Sequence, residues 1–242
     1  MLEWKIKFTI WMKEMVFLIK PHVWLGWLGP WLLKLHNTLT LSRWMASVPP
    51  DLIHNDYYVS DRDYTRRYTL YEKISQHLGL DKESLIYLEF GVSTGNSFYW
   101  WLDHNDHPDS QFYGFDTFEG LPEKWGVFNK GALSSAPPPL QDRRGQFYQG
   151  LFQDTLPAFI KNHTLTGRRK IIHLDADLFS ATLFALTSLG SILQKGDVLI
   201  FDEFNVPNHE YYAYRIFCEA FYIQPRLIAA VNNYYEVALI ID

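Results

Sequence analysis

The residues of this chain best suited to chemistry are acids that close apolar runs. Glu89 follows Leu85 to Leu88, Asp116 follows Phe112 to Phe115, Asp175 and Asp177 follow Ile171 to Leu174, and Asp202 and Glu203 follow Val198 to Phe201. A carboxylate accepts hydrogen bonds from hydroxyl and ammonium groups, binds hard cations, and takes protons where its surroundings raise its pKa. Two glycines, Gly91 and Gly95, come directly after the first acid, and Ser97 opens a helix-compatible segment to Leu102. Strand, glycine loop and helix N-terminus together are the opening of a nucleotide-type site. The spacing Gly91-x-x-x-Gly95 differs from the G-x-G-x-x-G of dinucleotide binders, and Glu89 beside it repels phosphate but attracts an ammonium group.

Asp116, one βαβ unit further on, is placed to accept hydrogen bonds from both hydroxyls of a ribose. A nucleoside with a cationic, amino-acid-like end satisfies Glu89 and Asp116 together, which describes S-adenosylmethionine better than NAD. The plainer reading is that either acid is simply bonded to turn amides. Asp175, Asp177, Asp202 and Glu203 end strands that would lie side by side, and carboxylates gathered in one crevice repel unless a cation sits among them. Their hard oxygens suit Mg²⁺ or a similar ion. Against this, one acid caps a following helix and the rest face solvent. His173 reads as a satisfied core histidine rather than a ligand, Cys218 as core rather than nucleophile, Trp100-Trp101 as packing, and Arg143-Arg144 as a solvated loop pair.

The elements that must position these acids alternate regularly from residue 61. Asp61 to Leu78 reads as a helix ending at Gly79, with Tyr68, Tyr71, Ile74 and Leu78 on one face. Strands follow near 85–90, 112–116, 146–149, 170–175 and 197–202, a helix near 211–222, and an antiparallel hairpin, 226–231 with 235–241, at the sheet edge. This predicts an α/β fold with a doubly wound, mostly parallel seven-stranded sheet and a C-terminal antiparallel hairpin. The stretch 126–144, with Pro137-Pro138-Pro139, reads as a long loop covering a site.

The chain has 242 residues, 48% apolar and 17% aromatic, and a net charge of −5, which leaves no basic footprint for nucleic acid. One cysteine excludes an internal disulfide and suits a reducing cytoplasm. Charge is unevenly spread. Six bases and two acids give residues 1–50 a net +4, whereas the remainder, with 16 bases and 25 acids, stands at −9. Six of the nine tryptophans also fall in the first 50 residues. A boundary at Pro49-Pro50 therefore separates a Trp-rich basic segment, 1–50, from a domain over 51–242. Trp4, Phe8, Trp11, Met15 and Ile19 lie at helical spacing, so residues 2–19 are predicted as an amphipathic helix within a helical appendage. Three roles are open for this appendage: a lid or homo-oligomer contact, a helix lying on a membrane surface, or a span.

In order along the chain come Glu89-Phe90-Gly91 with Gly95 and Ser97, then Phe115-Asp116-Thr117-Phe118-Glu119-Gly120-Leu121-Pro122. Asp154-Thr155-Leu156-Pro157, His173-Leu174-Asp175-Ala176-Asp177-Leu178 and Phe201-Asp202-Glu203-Phe204 complete the series. Together they resemble the class I S-adenosylmethionine-dependent methyltransferases of the macrocin O-methyltransferase type, over about residues 60–242. The resemblance implies a Rossmann-like fold and transfer of a methyl group to a small-molecule hydroxyl, on a sugar or another vicinal diol, itself possibly glycosylated. It implies that Glu89 meets the methionine amino group, Gly91 and Gly95 shape the loop, and Ser97 binds the methionine carboxylate. Asp116 would hold the ribose, with Phe152 and Gln153 beside the adenine. Asp175, Asp202 and Glu203 match metal-ligand positions shared with catechol O-methyltransferases. Those enzymes carry a lysine base where this chain has Leu178, so the base falls to Asp175 or Asp177. Two alternatives stand beside this reading: another enzyme on the same scaffold (a hydroxylase or an oxidoreductase partner), and a non-catalytic membrane-associated module. The acceptor pocket is expected from the 126–144 loop, the N-terminal segment and Tyr57-Tyr58.

Overall fold

The computed structural model describes residues 2–242. Strand β2 (Leu85–Phe90) shows how the core is divided, since all six of its residues are buried. Leu85 and Tyr87 pack on one face, with Leu70, Tyr71 and Ile74 of helix α4 (Arg66–Leu78) and Phe98 and Trp101 of α5 (Asn96–Asp103). Ile86, Leu88 and Phe90 pack on the other, with side chains of α6 (Phe152–Asn162), α7 (Phe179–Leu189) and α8 (Glu210–Phe221). A strand buried on both sides needs apolar residues at every position, which is why these strands are continuous apolar runs rather than alternating ones.

The remaining strands are β1 (His54–Asn55), β3 (Gln111–Asp116), β4 (Gly145–Gln149), β5 (Arg169–Leu174), β6 (Val198–Phe201), β7 (Arg226–Val231) and β8 (Glu236–Ile240). They form one sheet in the order β1-β7-β8-β6-β5-β2-β3-β4. β8 runs antiparallel to both β6 and β7, and every other pairing is parallel. The doubly wound α/β sheet is thus as predicted, with an eighth strand added: two-residue β1, too short to leave a pattern in sequence, lies parallel to β7. β1 also shifts the hairpin inward. β8 is inserted between β6 and β7, so the hairpin is not the sheet edge. Its turn takes Asn232, Asn233 and Tyr234 through left-handed backbone. The two asparagine side chains bond the backbone of Val59 and Asp63, which fastens the segment before α4.

α4 starts five residues later than predicted. Asp63 accepts from the Thr65 amide and hydroxyl in a turn that precedes it, and Gly79 ends it in the left-handed conformation. At the N-terminus, α1 (Leu2–Ile19), α2 (His22–Leu25), a 3₁₀ turn (Gly26–Leu28) and α3 (Gly29–Ala46) precede the sheet. α1 is helical as predicted, and none of its residues is buried. Attachment begins in α3. Asn37 is buried and donates to Asn208, Leu41 joins the core, and Trp44 packs among Phe204, Tyr211, Tyr214 and Tyr234.

Candidate active site

Parallel register brings the acids to one end of the sheet. Glu89 lies opposite His173 on β5 and Gly114 on β3, while Leu174 lies opposite both Phe90 and Phe201. Ladder bonds continue one residue beyond the strands: Gly91 N–H to Phe115, Asp175 N–H to Phe90, and Asp202 N–H to Leu174. Asp175 and Asp202 therefore leave adjacent strands at the same level. Gly91 is demanded by this crossing. Its φ is +98°, and a Cβ there would lie 1.8 Å from the Asp175 carbonyl oxygen, so no other residue fits.

A cavity of about 350 Å³ opens at these strand ends. Of the predicted cofactor residues, Glu89, Gly91, Ser97, Asp116, Phe152 and Gln153 line it, as do Asp175, Asp177 and Asp202. Gly95 supports the loop from behind as the left-handed residue before α5, against Pro138. Glu203 lies outside the cavity wall. Of the stretch expected to build an acceptor pocket, Leu133 lines the cavity, whereas Tyr57, Tyr58 and residues 2–50 do not.

Asp116 shapes the loop. One of its oxygens accepts from the amides of Val92 and Ser93, both at 2.8 Å, and the other from Phe118 at 2.7 Å. The turn-amide reading is therefore realised in this structure, with the side chain still on the cavity wall. Glu89 is buried, and burial pushes its carboxyl well above the ordinary range. Tyr87 donates to it at 2.8 Å, and the same hydroxyl lies 2.8 Å from His173 Nδ1. Since the Tyr87 proton goes to Glu89, His173 donates from Nδ1 and keeps Nε2 as acceptor. Nε2 faces the Tyr71 hydroxyl at 3.4 Å, which in turn lies 3.2 Å from Ser97 Oγ. A buried polar chain thus ties Glu89 to Ser97. His173 is the satisfied core histidine expected, held neutral by burial and then by Arg67, which bring its pKa down to about 3.

The acid cluster is larger than the sequence suggested. Glu210 and Glu236 are completely buried beside it. Glu210 accepts from the Glu203 amide at 2.9 Å, and Glu236 from Asn232 at 2.8 Å. Tyr235 donates to Glu203. Asp202 Oδ1, Glu203 Oε2, Glu210 Oε1 and Glu236 Oε1 are buried without any hydrogen-bond partner. Burial raises the pKa of each of these four acids; Glu236 reaches about 8. Asp177, in left-handed backbone, is pushed up to about 7 by burial and by the carboxylates of Glu203 and Asp202. Burial and Asp202 likewise raise Asp175.

Arg67 is the functional-site residue that motif reading missed. Its guanidinium reaches Asp202 at 3.0 Å, Asp175 at 3.8 Å and Glu236 at 4.0 Å. The signal was present: Arg67 stands four residues before Tyr71, on the same stripe of α4 as Ile74 and Leu78, where a charge requires a buried partner. His173, Asp175 and Asp202 also offer ligand atoms that all lie within 4.8 Å of one another. Orphaned carboxylate oxygens in excess of nearby donors fit a divalent cation at this point. Two other expectations resolve structurally. Arg144 is no solvated loop residue, since it clasps Asp142 and the carbonyls of Leu102 and Asn105. Cys218 is half-buried, with its thiol pushed up to about 12 by burial.

Comparison with known proteins agrees with this geometry. Residues 88–204 match the Methyltransf_24 family model, described as a methyltransferase domain. The structure resembles CalS11, a calicheamicin methyltransferase, with TM-score 0.59 and 18% identity over 85% of this chain and 91% of that one. It also resembles the O-methyltransferase NovP, with TM-score 0.54 and 20% identity over 72% of this chain and 79% of that one. No curated protein matches the sequence. At such identities the structures establish the fold, and the family match runs from within β2 to just past β6. Residues 88–204 accordingly match a methyltransferase domain, on an α/β fold like that of CalS11 and NovP.

Proposed function

We propose that this enzyme transfers a methyl group from S-adenosylmethionine to a hydroxyl of a small molecule bearing a vicinal diol, a sugar above all, with a divalent cation at the acid cluster. One observation carries the reading: Glu89, Ser97 and Asp116 share a single cavity with Asp175, Asp177 and Asp202. Donor-binding and proton-accepting groups thus face one volume. The macrocin O-methyltransferase resemblance supports the acceptor class. So does CalS11, which is a TDP-rhamnose 3'-O-methyltransferase and whose apo structure resembles this one with TM-score 0.54 and 19% identity over 85% of this chain and 93% of that one.

When bound, S-adenosylmethionine supplies a methyl carbon made electrophilic by its sulfonium. Glu89, whose proton is held by burial, would release it to solvent and pair as a carboxylate with the ammonium of the bound donor. The Tyr87 hydroxyl keeps that carboxylate aimed into the cavity, and Asp116 fixes the loop amides while facing the ribose. Of the residues assigned to a divalent cation, Asp175 and Asp202 face the cavity and would hold it beside His173. Glu203 lies outside the cavity wall and is bonded by Tyr235. The cation, when bound, would acidify an acceptor hydroxyl and orient it. Asp177, near neutrality at about 7, has the affinity to receive the hydroxyl proton on its carboxylate at physiological pH. Asp175, the other base candidate, lies 3.8 Å from the Arg67 guanidinium.

Calorimetric titration with S-adenosylmethionine, with and without Mg²⁺, beside an NAD⁺ control, tests the reading. Micromolar S-adenosylmethionine binding that Glu89→Gln weakens by roughly tenfold or more is expected, since a charged hydrogen bond is worth about 1.5–3 kcal/mol. Binding of NAD⁺ in preference, or of neither by folded protein, overturns it.

A further inference from the structure

The methyltransferase reading leaves residues 2–39 without a role, and they carry the most unusual surface of the molecule. Among the described residues, 20 of the 28 exposed large apolar side chains lie there. No residue of α1, of α2 or of the 3₁₀ turn is buried. Helices in proteins draw most of their stability from packing one face, and none of α1 is buried against the chain. The side chains nevertheless have an order. Trp4, Phe8 and Trp11 form a continuous ridge, with ring centroids 5.6 and 6.1 Å apart. At about 100° per residue, Met15 and Leu18 extend that ridge, Lys5 and Lys7 flank it on its two sides, and the opposite face carries Lys13 among exposed Leu2, Ile6, Ile10 and Phe17.

We propose that residues 2–39 are a lipid-docking module that lays α1 in the interface of an anionic membrane, with the Trp4–Phe8–Trp11 ridge inward. Three observations select this occupant. Among the described residues no helix is long and apolar enough to cross a bilayer, and α1 carries five charged residues, so the segment lies on a membrane rather than through it. Its flanking lysines and tryptophans are the residues that seat a helix at headgroup level. Its charge is complementary to acidic lipid: residues 1–50 carry +4 and the rest of the chain −9. An anionic surface therefore attracts the module and repels the body. A second copy meeting it module to module would instead set one +4 segment against another. α3 then anchors the module through Trp44 to Phe204 and Tyr211, on the segment that directly follows Asp202 and Glu203.

The test is cosedimentation of the full chain with vesicles of phosphatidylcholine alone or mixed with phosphatidylglycerol, alongside light-scattering mass in solution. Expected is binding at least about tenfold tighter to the mixed vesicles, since each lysine near an anionic surface contributes about a fivefold gain, and weaker binding at high salt. The triple variant Trp4→Ser, Phe8→Ser, Trp11→Ser should lose that binding while keeping its unfolding midpoint, because all three side chains are exposed. Absence of binding to mixed vesicles overturns the proposal, as does undiminished binding by the triple variant. A dimer in solution that the triple variant dissolves overturns it too, since the ridge would then serve a second copy.

Discussion

Replacing Arg67 by methionine removes the guanidinium from among Asp175, Asp202 and Glu236 while keeping much of its apolar stem. The side chains concerned are poorly solvated: Arg67 is 16% exposed, Asp202 6% and Glu236 0%. At 3–4 Å and an effective dielectric near 20, one such pair attracts by about 4–6 kcal/mol. Part of this is offset because the arginine no longer has to be desolvated, and broken buried pairs lose about 3–5 kcal/mol in practice. For a chain of this size that corresponds to a fall in melting temperature of roughly 6–20 °C. The loss depends on pH with a definite sign. Asp177 at about 7 and Glu236 at about 8 lie above their unfolded values of 3.8 and 4.5. Their contribution to stability is complete below those unfolded values and vanishes as pH rises through 7 to 8. Arg67→Met should therefore be mildly destabilised at pH 6, where the acids take up protons, and severely at pH 8. Millimolar Mn²⁺ or Mg²⁺ should restore much of the loss at pH 8, by replacing one cation with another. Urea unfolding at both pH values, with and without the metal, reads this directly. A variant that unfolds at the wild-type midpoint at pH 8 and ignores the metal would refute the reasoning, because the acids would then need no cation.

Three further outcomes follow from single contacts. Gly91→Ala places a Cβ on the Asp175 carbonyl, so the variant should fail to bind S-adenosylmethionine by calorimetry or fail to fold by circular dichroism. Tyr87→Phe leaves Glu89 and His173 without their shared hydroxyl; the cost of about 1–3 kcal/mol should appear as roughly tenfold weaker S-adenosylmethionine binding in a protein with native circular dichroism. Asp197→Ala strands the buried Lys170 ammonium, 2.9 Å away, and should cost about 3–5 kcal/mol in denaturant unfolding without changing the affinity of the folded enzyme for S-adenosylmethionine.

The parts of the site legible in sequence were those where local and global constraints coincide. Glu89, Asp116, Asp175 and Asp202 each end a mostly apolar run, and parallel pairing brings such ends together, so type and place could both be read. Gly91 was legible as a turn residue, although its true cause is the passing Asp175 carbonyl, a contact 84 positions distant that no local pattern encodes. Glu210 opens a helix and Glu236 opens a strand, positions where an acid normally faces solvent. Their burial depends on how α8 and the hairpin are folded back onto β6. Arg67 was hidden for the opposite reason, since a charged residue in a polar-looking helix start attracts no notice until its stripe is followed into the core. Two-residue β1 leaves no periodicity at all.

The two ends of β5 show that the acid cluster is not a requirement of the fold. At the amino end, Asp197 accepts from the amides of Lys170 and Gln194, both at 2.8 Å, and from Lys170 Nζ at 2.9 Å, while that ammonium also reaches the Leu165 carbonyl. Both residues are completely buried, and both are satisfied. The same sheet, a few residues away at its carboxyl end, buries four carboxylate oxygens with no partner. Leaving such groups unpaired costs about 1–3 kcal/mol each, more when charged, and folded proteins keep few of them. An architecture able to satisfy a buried ion pair fully at one end gains nothing structural from unsatisfied acids at the other. Arg67 neutralises one charge, which under the proposed function leaves the remainder for a divalent cation and a hydroxyl with a proton to lose. The instability gathered at the carboxyl end of the sheet is, on this reasoning, the part of the molecule that ligands complete.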